Sequence, residues 1–216
     1  MIPFEVLGTG SSGNATVLNN TVLVDCGMPF KIISPYVDAL RLVLLTHIHS
    51  DHFNRATIKR LAHDRPTLRF GCGRWLVPEL VELGVSKTKI DVMVEGMRYN
   101  YGKLSVVPVK LVHNVENFGY KLNFDGFRVI YATDTSTLRG VEAKGYDLYL
   151  VEANYNEDEI DKRISEKLSN VQYAYEIAAK KNHLSQSQCD DWLYQNMNMR
   201  SQYVYMHQHR DRVQNG

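Results

Sequence analysis

At 216 residues, 44% hydrophobic and 23% charged, the chain has the size and composition of one ordinary globular domain, expected to run from residue 1 to 216. That composition excludes a disordered or low-complexity protein. Lys and Arg total 25 against 24 Asp and Glu, and the net charge of +1 excludes a global field for nucleic acid or anionic membrane, leaving room only for a local patch.

Three widely spaced cysteines, Cys26, Cys72 and Cys189, cannot complete a disulfide framework, so a reducing compartment is expected. No apolar run approaches the roughly 18 residues of a membrane span. The opening Met1-Ile2-Pro3-Phe4-Glu5 lacks the basic and apolar regions of a secretion signal. A soluble, cytoplasmic protein is expected.

Phe4 to Leu7 predicts a short strand that runs into Gly8-Thr9-Gly10-Ser11-Ser12-Gly13. Read literally this is the G-x-G-x-x-G of dinucleotide-binding folds, but that fingerprint must open a helix. Here Ala15 to Leu18 and Thr21 to Asp25 follow as two β-rich runs around Asn19-Asn20, a hairpin, so the glycines belong to a loop. Arg41 to Thr46 is an apolar run read as a strand buried on both faces. Helices are predicted over Asn54 to His63 and Trp75 to Leu83, the second stopped by Gly84. Strands return at Ile90 to Val94, Leu104 to Val109, Gly119 to Phe124 and Phe127 to Ala132, with Asp125-Gly126 as a turn. After a strand over Asp147 to Ala153, helices are predicted over Glu157 to Leu168, Val171 to Lys180 and Gln186 to Met197, before a last strand, Gln202 to Met206. The order fits an α/β fold, two sheets covered by helices in a four-layer αββα sandwich.

The chemistry concentrates in His47-Ile48-His49-Ser50-Asp51-His52, four metal-competent side chains within six residues at the end of a buried strand. Imidazole and carboxylate suit zinc, manganese or iron, and the absence of thiolate argues against a closed structural site. A loop can splay His47 and His49 toward one ion and Asp51 and His52 toward another. Four ligands cannot complete two sites, so others must come from elsewhere. His113, Asp134 and His207 each follow a predicted strand, where a rigid sheet can aim them at a shared centre. His63, alone near a helix end, is expected to be solvated.

H-x-H-x-D-H followed by single His, Asp and His residues resembles the metallo-β-lactamase superfamily over nearly the full chain. The resemblance implies the αββα sandwich with a two-metal site at the shared edge of the sheets. It implies His47, His49 and His113 on the first metal, Asp51, His52 and His207 on the second, and Asp134 bridging, with zinc the default ion and manganese the other candidate. Asp25, in Leu23-Val24-Asp25-Cys26-Gly27, matches the family aspartate that orients a ligand histidine. His209, two residues beyond His207, is the weaker candidate for the last ligand.

True β-lactamases of this fold tend to carry cysteine where Asp134 stands; a carboxylate suits a phosphodiesterase or a glyoxalase-type hydrolase. Gly10-Ser11-Ser12-Gly13-Asn14, Val151-Glu152-Ala153-Asn154-Tyr155 and Asn182-His183-Leu184-Ser185 resemble the YycJ/WalJ-type hydrolases, relatives of ribonuclease Z and of the phosphonate-pathway phosphodiesterase. By that resemblance His183 faces the scissile phosphate, and Asp51 and His183 are the candidate catalytic residues. Tyr155 departs from the pattern, standing where relatives often have His, and the long arm with which ribonuclease Z holds transfer RNA is missing. The expected reaction is hydrolysis of a phosphodiester, in nucleic acid or a small nucleotide, by hydroxide made from a water shared between two ions. Arg200, His209, Arg210 and Arg212 are expected to form a basic edge near the metals. The rival readings are an acyl hydrolase acting on a thioester, lactone or β-lactam, and a non-catalytic binding protein on the same fold.

Overall fold

A computed structural model describes residues 1–167 and 174–208. Among these residues, twelve strands form two six-stranded sheets. In the first, β1 (Phe4–Gly8), β2 (Ala15–Leu18) and β3 (Val22–Val24) run antiparallel, and β4 (Leu42–Leu45), β5 (Arg69–Cys72) and β6 (Ile90–Val92) continue parallel from β3. In the second, β7 (Tyr99–Tyr101), β8 (Leu104–Leu111), β9 (Asn117–Phe124) and β10 (Phe127–Ala132) form an antiparallel meander, and β11 (Leu148–Glu152) and β12 (Gln202–Met206) add in parallel.

The helices cover the outer faces, and three apolar clusters mark the three interfaces of a four-layer sandwich. Leu23, Val43, Leu45 and Phe70 point outward from the first sheet onto Ile33 of α1 (Phe30–Ile33), Ile58 and Leu61 of α2 (Arg55–Asp64) and Leu80 of α3 (Val77–Glu82). Val22, Val24, Leu42 and Leu44, one residue out of phase, face Tyr120, Leu122, Val129, Tyr131 and Leu150 across the centre. Ile130, Tyr149 and Val151 pack against Cys189, Trp192 and Leu193 of α6 (Gln186–Asn196) on the far side. The two-residue period of a strand thus sends alternate side chains into different layers, which is why the central strands read as unbroken apolar runs. α4 (Glu157–Lys167) and α5 (Ala174–Asn182) precede α6. No helix among the described residues is long and apolar enough to cross a membrane.

The expected elements are present with shifts of a few residues at their ends. The glycine loop after β1 opens no helix; Gly13 N–H donates to the Gly10 carbonyl in a tight turn. The helix expected from Trp75 breaks into a 3-10 turn, Arg74–Leu76, and α3, whose first turn holds Pro78. β5, β7 and α1 were not expected. The end of the helix expected to Leu168 and the start of that expected from Val171 fall outside the described residues. The basic edge is corrected: Arg200 precedes β12, whereas His207 follows it, so the strand's length separates them. His209, Arg210 and Arg212 lie outside the described residues.

Candidate metal centre

His47, Asp134, Glu152 and His207 all follow or end strands pointing to one pole of the sandwich. Asp25, Asp134 and His207 adopt left-handed backbone angles, φ +59°, +58° and +52°. This conformation is uncommon for residues with a side chain, and here it turns the chain sharply out of each strand.

His47 Nε2 lies 3.1 Å from His49 Nδ1, which lies 3.4 Å from His113 Nε2. The other nitrogen of His113 donates to the Asn182 carbonyl at 3.1 Å, so its Nε2 keeps a free lone pair. Burial, with His52 adding to it, drives the pKa of His47 far below its ordinary value, and burial lowers that of His113 as well. These three imidazoles turn nitrogens toward one point.

A second set adjoins it. His52 Nε2 lies 2.9 Å from Asp134 Oδ2 and 3.6 Å from Asp51 Oδ2, and His207 Nε2 lies 3.8 Å from Asp51 Oδ2. Asp134 Oδ1 is 3.1 Å from His207 Nδ1 and 3.8 Å from His113 Nε2, so this carboxylate spans both sets. Burial opposes charge on His52 and His207, yet Asp134 and a second carboxylate (Asp25 for His52, Glu152 for His207) outweigh it: His52 sits well above its ordinary range and His207 is pushed up to about 10. Burial likewise opposes charge on Asp134, and the two histidines hold it well below the carboxylate range.

The donor set fits divalent ions. His47, His49 and His113; His47, His52 and Asp134; and Asp51, His52 and His207 each bring ligand atoms within 4.8 Å of one another. Asp134 Oδ2 and His207 Nδ1 are buried without a hydrogen bond despite close neighbours of the opposite kind. Close approach without hydrogen-bond geometry is what ligands aimed at a common cation show, and an all-His/Asp set suits zinc or manganese.

The site is braced from behind. Asp25, fully buried, accepts from Thr46 N–H at 3.0 Å, Thr46 Oγ1 at 2.8 Å, His52 Nδ1 at 2.6 Å and Tyr131 OH at 3.1 Å. That fixes the His52 ring with Nε2 toward the cluster. Asn14, from the glycine loop, donates to the Asp51 carbonyl at 3.2 Å and caps the Gly10 backbone. His207 donates its N–H to Thr9 Oγ1 at 2.6 Å, and its carbonyl accepts from Asn154 Nδ2 at 2.8 Å.

Sequence reasoning missed Glu152. Fully buried at the end of β11, it accepts from His183 Nδ1 at 2.6 Å and Thr135 N–H at 2.8 Å, with His207 Nδ1 at 3.3 Å. Its signals were a carboxylate ending an otherwise apolar strand and its place in the Val151-to-Tyr155 motif, neither of which gave it a role. His183 stands between the end of α5 and Ser185, the N-cap of α6, and its ring lies 5.3 Å from that of His113 and 5.1 Å from that of His207. The structure therefore brings together His47, His49, Asp51, His52, His113, Asp134, His207 and His183, while His63 is solvent-exposed on α2.

Comparison with known proteins agrees with this architecture. Among solved structures, the metallo-beta-lactamase fold protein YhfI from Bacillus subtilis superposes with TM-score 0.67 at 16% identity, over 95% of this chain and 85% of that one. The short form of human tRNase Z gives 0.66 at 16%, over 95% and 92%. A diphosphatase of the PhnP family gives 0.64 at 14%, over 95% and 85%. At these identities the likeness is one of fold. No curated protein matches the sequence. The sequence model described as "Beta-lactamase superfamily domain" matches residues 20–207, which include every residue of the cluster, and the chain belongs to that family.

Proposed function

We propose that the chain is a two-metal hydrolase of phosphodiester bonds, in nucleic acid or a small nucleotide, on the YycJ/WalJ side of its family. One observation carries the reading: two adjacent donor sets share a buried carboxylate, Asp134, with His183 beside them. His47, His49 and His113 would hold the first ion, Asp51, His52 and His207 the second, with Asp134 between; zinc is the default and manganese also suits the carboxylate. Ions bound there supply Lewis-acid activation of water and of the phosphoryl oxygens.

The chain's own groups do the rest. Asp25 locks His52, and Glu152 fixes His183 through Nδ1, leaving Nε2 to hold a proton for the departing oxygen. Asp51, partly exposed at the mouth, accepts a proton from the attacking water through its carboxylate. A tRNase Z and a diphosphatase among the structural neighbours support a phosphorus substrate.

The test is a metal assay joined to a substrate panel. Bis-p-nitrophenyl phosphate should turn over with added zinc or manganese, whereas nitrocefin and a thioester should not. His49→Ala should lose one equivalent of metal and at least about 100-fold in rate. Turnover of nitrocefin or thioester alone would give the acyl-hydrolase reading, and inactivity with every metal the non-catalytic one.

A further inference from the structure

The pole opposite the metal centre is open. A groove of about 750 Å³ lies between the two sheets there, at the starts of β3, β4, β5 and β8 and the turn joining β9 to β10. Along β8 alone, the path from Leu104 in the groove to His113 in the metal centre is roughly 30 Å of extended chain. The volume is that of a small-molecule pocket, roughly 300–1,000 Å³.

Its floor is the end of the inter-sheet core: Val22 and Leu42 from one sheet, Leu104 and Phe124 from the other. Its rim carries three cations, Arg41, Arg69 and Lys103. Two of them are already neutralised. Arg69 forks onto the Asp91 carboxylate, to which Tyr101 OH also donates at 2.8 Å, and Lys103 pairs with Asp125 at 2.7 Å. Arg41 is exposed, and its guanidinium has no ion pair or hydrogen bond among the described residues. One unmatched positive charge thus stands over an apolar slot. It calls for a ligand with one negative charge and a hydrocarbon body, and a planar guanidinium matches a carboxylate through two parallel hydrogen bonds. We propose that this groove binds a single-chain fatty acid, its carboxylate on Arg41 and its chain between the sheets against Val22, Leu42, Leu104 and Phe124.

Calorimetric titration of the full chain with laurate, below its micelle concentration, tests this. Saturable one-to-one binding is expected. Dodecanol, with the same chain and no charge, should bind at least about tenfold more weakly, and Arg41→Ala should weaken laurate by a similar factor. Arg41 is exposed, so the variant should keep the parent's melting temperature, and Arg41→Lys should restore part of the affinity. Lys103→Ala, which removes a cation already paired, should leave laurate affinity within about threefold. The assignment is overturned if laurate does not saturate, if dodecanol binds as well, or if Arg41→Ala binds like the parent. Light scattering that finds two copies closing this face, with no laurate uptake, would overturn it too.

Discussion

Asp25 holds four donors with two oxygens, and none of those donors has water to turn to. Replacing it with alanine strands the Thr46 N–H, the Tyr131 hydroxyl and the His52 ring together. Asp25→Ala should therefore cost about 3–5 kcal/mol in denaturant unfolding. Metal affinity should fall about 10- to 100-fold, measured by competition with a chelating dye. Glu152 and His183 form a second unit, tied by a 2.6 Å hydrogen bond. His183→Ala should lower kcat about 100-fold or more with KM little changed, and Glu152→Gln should lower it by a smaller factor at full metal content. The double variant should be no slower than His183→Ala; fully additive losses would show that the pair does not act together. These two units also mark what the sequence disclosed of the site. The convergence of His47, His49, Asp51 and His52 was legible because four metal-competent side chains in six residues are a local signal. His113, Asp134 and His207 became legible only as strand-end residues joined to that cluster. Glu152 was hidden, because its partners lie 31 and 55 residues further along the chain and only the packed sheet brings them near.

At the scale of elements, the metal loop is pinned by the segment after β3. Cys26 N–H donates to the His52 carbonyl, Asn54 N–H to that of Cys26 and Asn14 N–H to that of Asp51. Gly27 sits inside this lattice, where a Cβ would lie 1.7 Å from the Asp51 carbonyl oxygen. Only glycine allows the two loops to cross so closely. Gly27→Ala should push the Asp51–His52 peptide outward, costing about 2–3 kcal/mol or more in thermal unfolding and releasing metal from the second set ahead of the first. Equal stability and two full equivalents of metal would refute it. The elements themselves were largely readable, since hairpins with Asn19-Asn20 and Asp125-Gly126 turns carry backbone preferences in their residues: all but Gly126 of these adopt the small positive φ such turns require, and Gly126 sits at +101°. β5 and β7 were not. Arg69–Cys72 is four residues with a glycine inside, and Tyr99–Tyr101 is three. Each is held in place by a neighbouring strand rather than by its own pattern.

For the molecule as a whole, the proposed metal ligands come from both sheets: His47 to His52 from the loop after β4, and His113, Asp134 and His207 from the strand ends of the other sheet. Two ions held in common would act as a clasp across the apolar interface at one pole, while the opposite pole relies on packing and the Tyr101–Asp91 hydrogen bond. Any ion that binds only the folded chain stabilises it by mass action, about 2.7 kcal/mol for one site at a free concentration 100 times its dissociation constant. For a chain of this size that corresponds to a rise of roughly 5–10 °C in melting temperature. The clasp predicts where the effect is felt. Chelation should speed hydrogen exchange at the metal-side ends of β4, β10, β11 and β12 and leave Val22, Leu42 and Leu104, at the far pole, nearly as protected as before. A uniform loss of protection along all strands would mean that the ions stabilise the fold globally instead of joining two sheets at one edge. No change at all on chelation would remove the ions from the structure's energetics, and with them the reason for converging ligands from two sheets on one place.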